Sequence, residues 1–301
     1  MAGGTGDGVT APADSGTELA AVARAGEPDR YLAALLARPP QREALLAVAA
    51  FAAELARVPQ RAVREPFMGE IRLQWWRTAL GLGNGEGEGE NVGDSAGHAV
   101  AAAMRAAMRS YDLPPGLLDG MIEARASDLR PAPFPDDAAL YDFLHKTEGA
   151  LFALSCRVLG VGASPGTEAA CAAAGRAYGL ARLMLRLPRS LALGRVPMAQ
   201  TAIAAAGLSA HELLAGADTG AAGDALMRAY LAQIRGPLAE ARRLVRNLPR
   251  PERVAFLPLA LVRSYLRLLE RQGGGALREE APIIPLARVW AVAAAHMLGR
   301  F

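Results

Sequence analysis

The feature that most constrains this chain is a helical period of apolar residues with no period-two competitor. It is clearest in Gly175 to Ala199, GRAYGLARLMLRLPRSLALGRVPMA, where Leu180, Leu183, Met184 and Leu187 fall at i, i+3, i+4 and i+7. A stripe of that spacing belongs to a helix that buries one face. Alanine and leucine, both strong helix formers, dominate the chain, and alternating runs of Val, Ile and Thr are missing. Hydrophobic residues make up 52% of 301 positions, enough for a substantial core. The expected class is all-α.

Caps and breakers divide the chain into about ten helices. Residues 1–24 are small and polar and are expected to be a disordered tail, with the folded domain spanning 25–301. Pro28 opens a helix, with Asp29 as a candidate cap. Arg42 to Val58 is the second helix. Its face of Leu45, Ala49, Ala52 and Ala56 is small enough for close helix approach or for a cavity. Phe67 to Leu80 is the third, followed by an acidic glycine-rich loop over 81–98 that is expected to be mobile. Ala138 to Leu159 is a long helix with a bend expected at Gly149. The central helix ends in a basic turn, Gly194-Arg195-Val196-Pro197, and further helices run over 223–248, 251–270 and 285–298. No internal repeat is present.

Charge and cysteine usage exclude several classes. The formal net charge is +3, Lys146 is the only lysine, and no concentrated basic run of the nucleic-acid type occurs. Cys156 and Cys171 lie outside any CxxC spacing and are not expected to pair, and the four histidines are scattered, so an imidazole metal site is not expected. The N-terminus has no apolar signal region. The most apolar C-terminal stretch, 283–298, is short for a span and interrupted by Pro285 and Arg288. The expected setting is cytoplasmic, with peripheral attachment at an inner membrane left open.

The segment order resembles the squalene/phytoene synthase family. The carrying residues are Arg42-Glu43-Ala44-Leu45 leading to Ala50-Phe51, Pro66, Leu73 to Arg77, Gly175-x-Ala177 with Leu180, and Gly194-Arg195-Val196. The resemblance implies an isoprenoid-synthase helical bundle around a central cavity. In catalytic members two aspartate-rich helices face each other there and hold magnesium ions for the substrate diphosphates. Here the first motif aligns with Ala56, Arg57 and Gln60, and the second with Arg182, Arg186 and Ser190, so neither keeps a carboxylate. The stretch Pro66 to Arg77 and the Tyr178-Gly179-Leu180 and Leu187-Pro188 segments are similar to a divergent branch that includes the mitochondrial complex I assembly factor.

Two readings from different classes follow. One is a non-catalytic module that binds a prenyl diphosphate or anionic lipid without a cofactor, or serves assembly with a membrane-protein partner. The other is an active magnesium-dependent transferase joining two isoprenyl diphosphates. Under the first, Arg57, Arg61, Arg182, Arg186, Arg189 and Arg195 are the anion-binding candidates, because arginine grips phosphate directly and bidentately. The plainer reading of these arginines is a solvated face, or pairing with acids across a filled cavity. Glu70, Trp75, Trp76 and Arg77 are expected to be structural: Glu70 and Arg77 share a face, and one tryptophan packs while the other reaches a groove or partner.

Overall fold

The computed structural model describes residues 13–62, 65–82 and 98–299. The chain forms α1 (Ala13–Gly26), α2 (Pro28–Ala34), α3 (Pro39–Arg61), α4 (Pro66–Leu80), α5 (Ala99–Tyr111), α6 (Pro115–Ser127), α7 (Asp137–Leu144), a π-helical turn (His145–Gly149) and α8 (Ala150–Val158). It continues through α9 (Pro165–Leu185), α10 (Leu187–Ala192), α11 (Gln200–Ala205), α12 (Ala210–Leu214), α13 (Gly220–Val245), α14 (Leu259–Gln272) and α15 (Pro285–Leu298). Two 3-10 turns, Glu252–Phe256 and Gly273–Leu277, flank α14. No strand occurs among the described residues, and the all-α expectation holds.

Helix α9 is the axis of the bundle. It packs against α13, α14, α8 and the π-helical turn, and Ala174, Ala177, Leu180, Ala181 and Met184 are fully buried. Gly175 and Gly179 permit the close approach to the turn. A Cβ at Gly175 would stand 2.5 Å from the backbone nitrogen of Gly149, closer than atoms can pack. The bend expected at Gly149 is this π-helical turn, whose extra residue rotates Thr147 and Glu148 into the interior.

The expected second helix is α3, and its alanine face does both things its size allows. Ala49 and Ala52 are buried in the core, Gly26 of α1 approaches Ala53, and Ala56 borders a cavity. Aromatic residues fill the remaining volume. Phe51 meets Trp76 edge-on at 5.2 Å between ring centres, and Phe152 stacks on Phe256 at 5.5 Å.

Several expectations require correction. Residues 13–24 are helical, not a disordered tail: α1 packs on α3 and buries Leu19 and Ala23. Its few apolar residues suffice because the alanines of α3 let the two backbones come close. Residues 1–12, and 83–97 of the glycine-rich loop, lie outside the described residues. Glu70 is exposed, and Arg77 pairs instead with Asp119 of α6 at 2.6 Å. Both tryptophans pack: Trp76 is fully buried, and Trp75 is held between Trp76, His98 and the Arg72 guanidinium. Cys156 and Cys171 are free thiols, as expected, but the crossing of the two helices that carry them brings their Sγ atoms to 3.8 Å.

Candidate active-site cleft

The helices enclose a cleft of about 470 Å³, bordered by α1, α3, the end of α6, the π-helical turn, α9, α10 and the start of α15. Ala56, Arg57, Gln60, Arg182, Arg186, Arg189, Ser190 and Arg195 all line it. The helices α3 and α9–α10 therefore do face each other across one space. Arg61 is exposed at the end of α3 and is not part of the lining. Seven arginines and four carboxylates line the cleft.

These arginines are not equivalent. Arg182 is buried and donates from both terminal nitrogens to Glu27, at 2.6 Å each, and from Nη1 to Glu148 at 3.1 Å. Burial alone would lower its pKa, but Glu27, Tyr178 and Glu148 outweigh that and hold it well above the ordinary value. Arg57 pairs with Glu54 one turn earlier, and Arg195 with Asp128, which Arg125 also contacts at 3.0 Å. Arg186 and Arg189 differ. Arg186 donates to the Gly26 carbonyl at 3.0 Å and Arg189 to Gln60 at 3.4 Å, and among the described residues neither has an ion-pair partner. Arg186 is open to the cleft solvent although protein surrounds it on most sides. Its neighbour Arg182, and then burial, lower its pKa.

A second layer, built on the cap candidate Asp29 and on buried Arg30 and Glu148, fixes the cleft floor. Asp29 is buried and caps no helix. It accepts from the hydroxyls of Tyr178 at 2.8 Å and Tyr265 at 2.6 Å, and pairs with Arg288 at 2.7 Å. Burial, and then Asp29, raise the pKa of Tyr265. Arg30 is buried over the Phe152 ring at 4.5 Å and donates to Glu148 at 2.8 Å. For Glu148, burial pushes the carboxyl up, but Arg182 and Arg30 prevail and hold it at about 2. Ion pairing across this network offsets the cost of keeping so many charges out of bulk water, although Asp29 Oδ1, Arg30 Nε and Arg288 Nε are buried without a hydrogen-bond partner. The one sequence signal for it was the dense run Glu27-Pro28-Asp29-Arg30 at a helix start.

The donor set does not suit the magnesium ions that the fold family implies. Hard cations take clustered, available oxygen ligands. Here Glu27, Asp29, Asp128 and Glu148 each face arginine or tyrosine donors, and the positions facing across the cleft carry guanidinium groups. No group of three or more metal-ligating side chains occurs among the described residues.

The profile of the squalene/phytoene synthase family matches residues 23–287. The fold is similar to squalene synthase HpnC from Alicyclobacillus acidocaldarius, with a TM-score of 0.67 and 17% identity over 87% of this chain and 97% of that one. It is also similar to a dehydrosqualene synthase in complex with ligand (TM-score 0.73, 11% identity, 95% and 98% covered). A third similar structure is YisP from Bacillus subtilis subsp. subtilis strain 168 (TM-score 0.66, 14% identity, 94% and 96% covered). No curated protein matches the chain. With the profile covering most of its length and the bundle, cleft and facing helices in place, this chain belongs to the squalene/phytoene synthase family.

Proposed function

We propose that this protein is a non-catalytic member of its family that binds a prenyl diphosphate, or a lipid with a comparable anionic headgroup, without metal. One observation carries the reading: Arg186 and Arg189 face the cleft with no carboxylate partner among the described residues, at and beside positions where the family pattern has metal-binding carboxylates. A guanidinium pair supplies to phosphate oxygens what magnesium would otherwise supply, namely positive charge and directed contacts. It does not supply the multi-ion polarisation that drives a diphosphate off an allylic carbon. A role in respiratory-complex assembly, with peripheral attachment at an inner membrane, is compatible with this reading and adds a protein partner to it.

The test is calorimetric titration with farnesyl and geranylgeranyl diphosphate, with magnesium and with EDTA, followed by product analysis of the same mixtures. Binding that survives EDTA and yields no product supports the proposal. Magnesium-dependent binding with release of diphosphate overturns it in favour of an active prenyltransferase, the reading that the names of the similar structures suggest.

A further inference from the structure

Helix α15 is inside out. Leu286, Trp290, Ala293 and Met297, at i, i+4, i+7 and i+11, form its outward stripe, and Leu286, Trp290 and Met297 are each about two-thirds exposed (64%, 64% and 66%). Its one charged arginine, Arg288, points the other way and reaches buried Asp29 at 2.7 Å. A surface helix in water normally has the reverse arrangement. The apolar stripe continues into Ile284 and Leu298, also about two-thirds exposed (66% and 67%).

Two further observations say what covers this face. First, its C-terminal end abuts a cluster of arginines. Arg253 donates to the Gly299 carbonyl at 3.0 Å and to that of Arg246 at 2.9 Å, and Arg250 lies beside Gly299. Arg246 and Arg263 both lie near Arg242. Burial, and then Arg263 and Arg246, push the pKa of Arg242 down to about 10. None of these five arginines has an ion-pair partner among the described residues, and Nε and Nη2 of Arg242 are buried without a hydrogen-bond partner. Second, the segment that leads into α15 and the first turn of the helix form part of the cleft: Ala281, Ile283 and, on α15 itself, Arg288 line it.

We propose that α15 lies flat on an anionic bilayer, its Leu286–Trp290–Met297 stripe in the acyl boundary and the arginine cluster at the headgroups, with the cleft opening beside it. No described helix is long and apolar enough to cross a membrane, so the contact is interfacial. An exposed apolar stripe with a tryptophan, flanked by uncompensated arginines, is the pattern that binds such interfaces. The proposal rests on the peripheral attachment raised under the proposed function, to which it gives a surface, and does not depend on diphosphate binding. It brings a lipid-soluble tail to the cleft without passage through water.

The experiment is co-sedimentation of the full chain with vesicles of phosphatidylcholine alone or mixed with phosphatidylglycerol, at low and high salt, with no prenyl ligand present. The expected result is binding to the anionic vesicles that weakens with salt and a blue shift of tryptophan emission. Trp290→Glu and, separately, Leu286→Glu should each weaken binding about tenfold or more. Arg246→Glu with Arg263→Glu should remove the preference for phosphatidylglycerol. These side chains are exposed, and circular dichroism and thermal midpoints check that the variants fold. Trp290→Glu should leave calorimetric titration with prenyl diphosphate unchanged, so this proposal and the functional one fail separately. Absence of vesicle binding, binding indifferent to Trp290→Glu, or a dimer by light scattering that Trp290→Glu dissolves would each overturn it, the last in favour of a second copy on this face.

Discussion

Arg182 and Glu27, 155 positions apart in the chain, are joined by two hydrogen bonds of 2.6 Å in the floor of the cleft. The pair closes a network with Arg30 and Glu148, and it removes from solvent an arginine that its helix spacing alone would place with Arg186 and Arg189. Glu27→Ala leaves Arg182 half-compensated in the interior. It should destabilise the protein by roughly 3–5 kcal/mol, the range for breaking a buried pair from one side. Chemical denaturation of the variant against the natural chain measures this.

Acid should unfold the protein partly through Glu148. Its carboxyl is held at about 2 in the folded state against an ordinary 4.5. A depressed folded value means stability present above the unfolded value and lost as pH falls toward the folded one. Stability should therefore decline between about pH 4.5 and 2 with uptake of one more proton on unfolding at this site. Glu148→Gln should be less stable at neutral pH and should show a shallower decline over that window, read from denaturation midpoints in a pH series.

Arg186→Ala and Arg189→Ala should each weaken prenyl diphosphate binding by roughly tenfold to a hundredfold, the worth of one or two charge-assisted hydrogen bonds. Stability should move by no more than about 0.5 kcal/mol, because neither side chain completes an ion pair in the fold. The two readouts are calorimetry in EDTA and thermal unfolding. Arg57→Ala, which frees Glu54 beside the cleft, should also weaken binding.

Gly175→Ala tests the contact that shapes the cleft floor. The added methyl would meet backbone atoms of Gly149 at 2.5 and 2.6 Å, and backbone does not give way as a flexible side chain does. A loss of about 2 kcal/mol or more is expected, in the range for overpacking a core. Gly179→Ala meets the Leu144 side chain first and should cost less. Differential scanning calorimetry of both variants decides the order.

By itself the sequence determined the all-α class, most of the longer helices and the family. Apolar spacing within one segment is enough to specify an amphipathic helix, because burying one face is a local demand. It also shows no carboxylate at Ala56, Arg57, Gln60, Arg182, Arg186 and Ser190, the positions that the resemblance aligns with the two aspartate motifs, since side-chain identity needs no coordinates. Segments whose burial depends on a neighbour were not legible. Helix α1 reads as a polar tail because its partner is the alanine face of α3, and Cys156 meets Cys171 only where two helices cross.

Tertiary structure alone decided what each charge does. Arg182, Arg186 and Arg189 share a spacing, yet one is locked by Glu27 and Glu148 and the other two are open to the cleft. Asp29 looks like a helix cap in sequence, and the fold makes it the common acceptor of Tyr178 and Tyr265. The inward turn of Arg288, which leaves the apolar side of α15 facing out, depends on the same carboxylate. The physical reason is that a charge is placed by its partner, and here the partners lie up to 259 positions away, from Asp29 to Arg288.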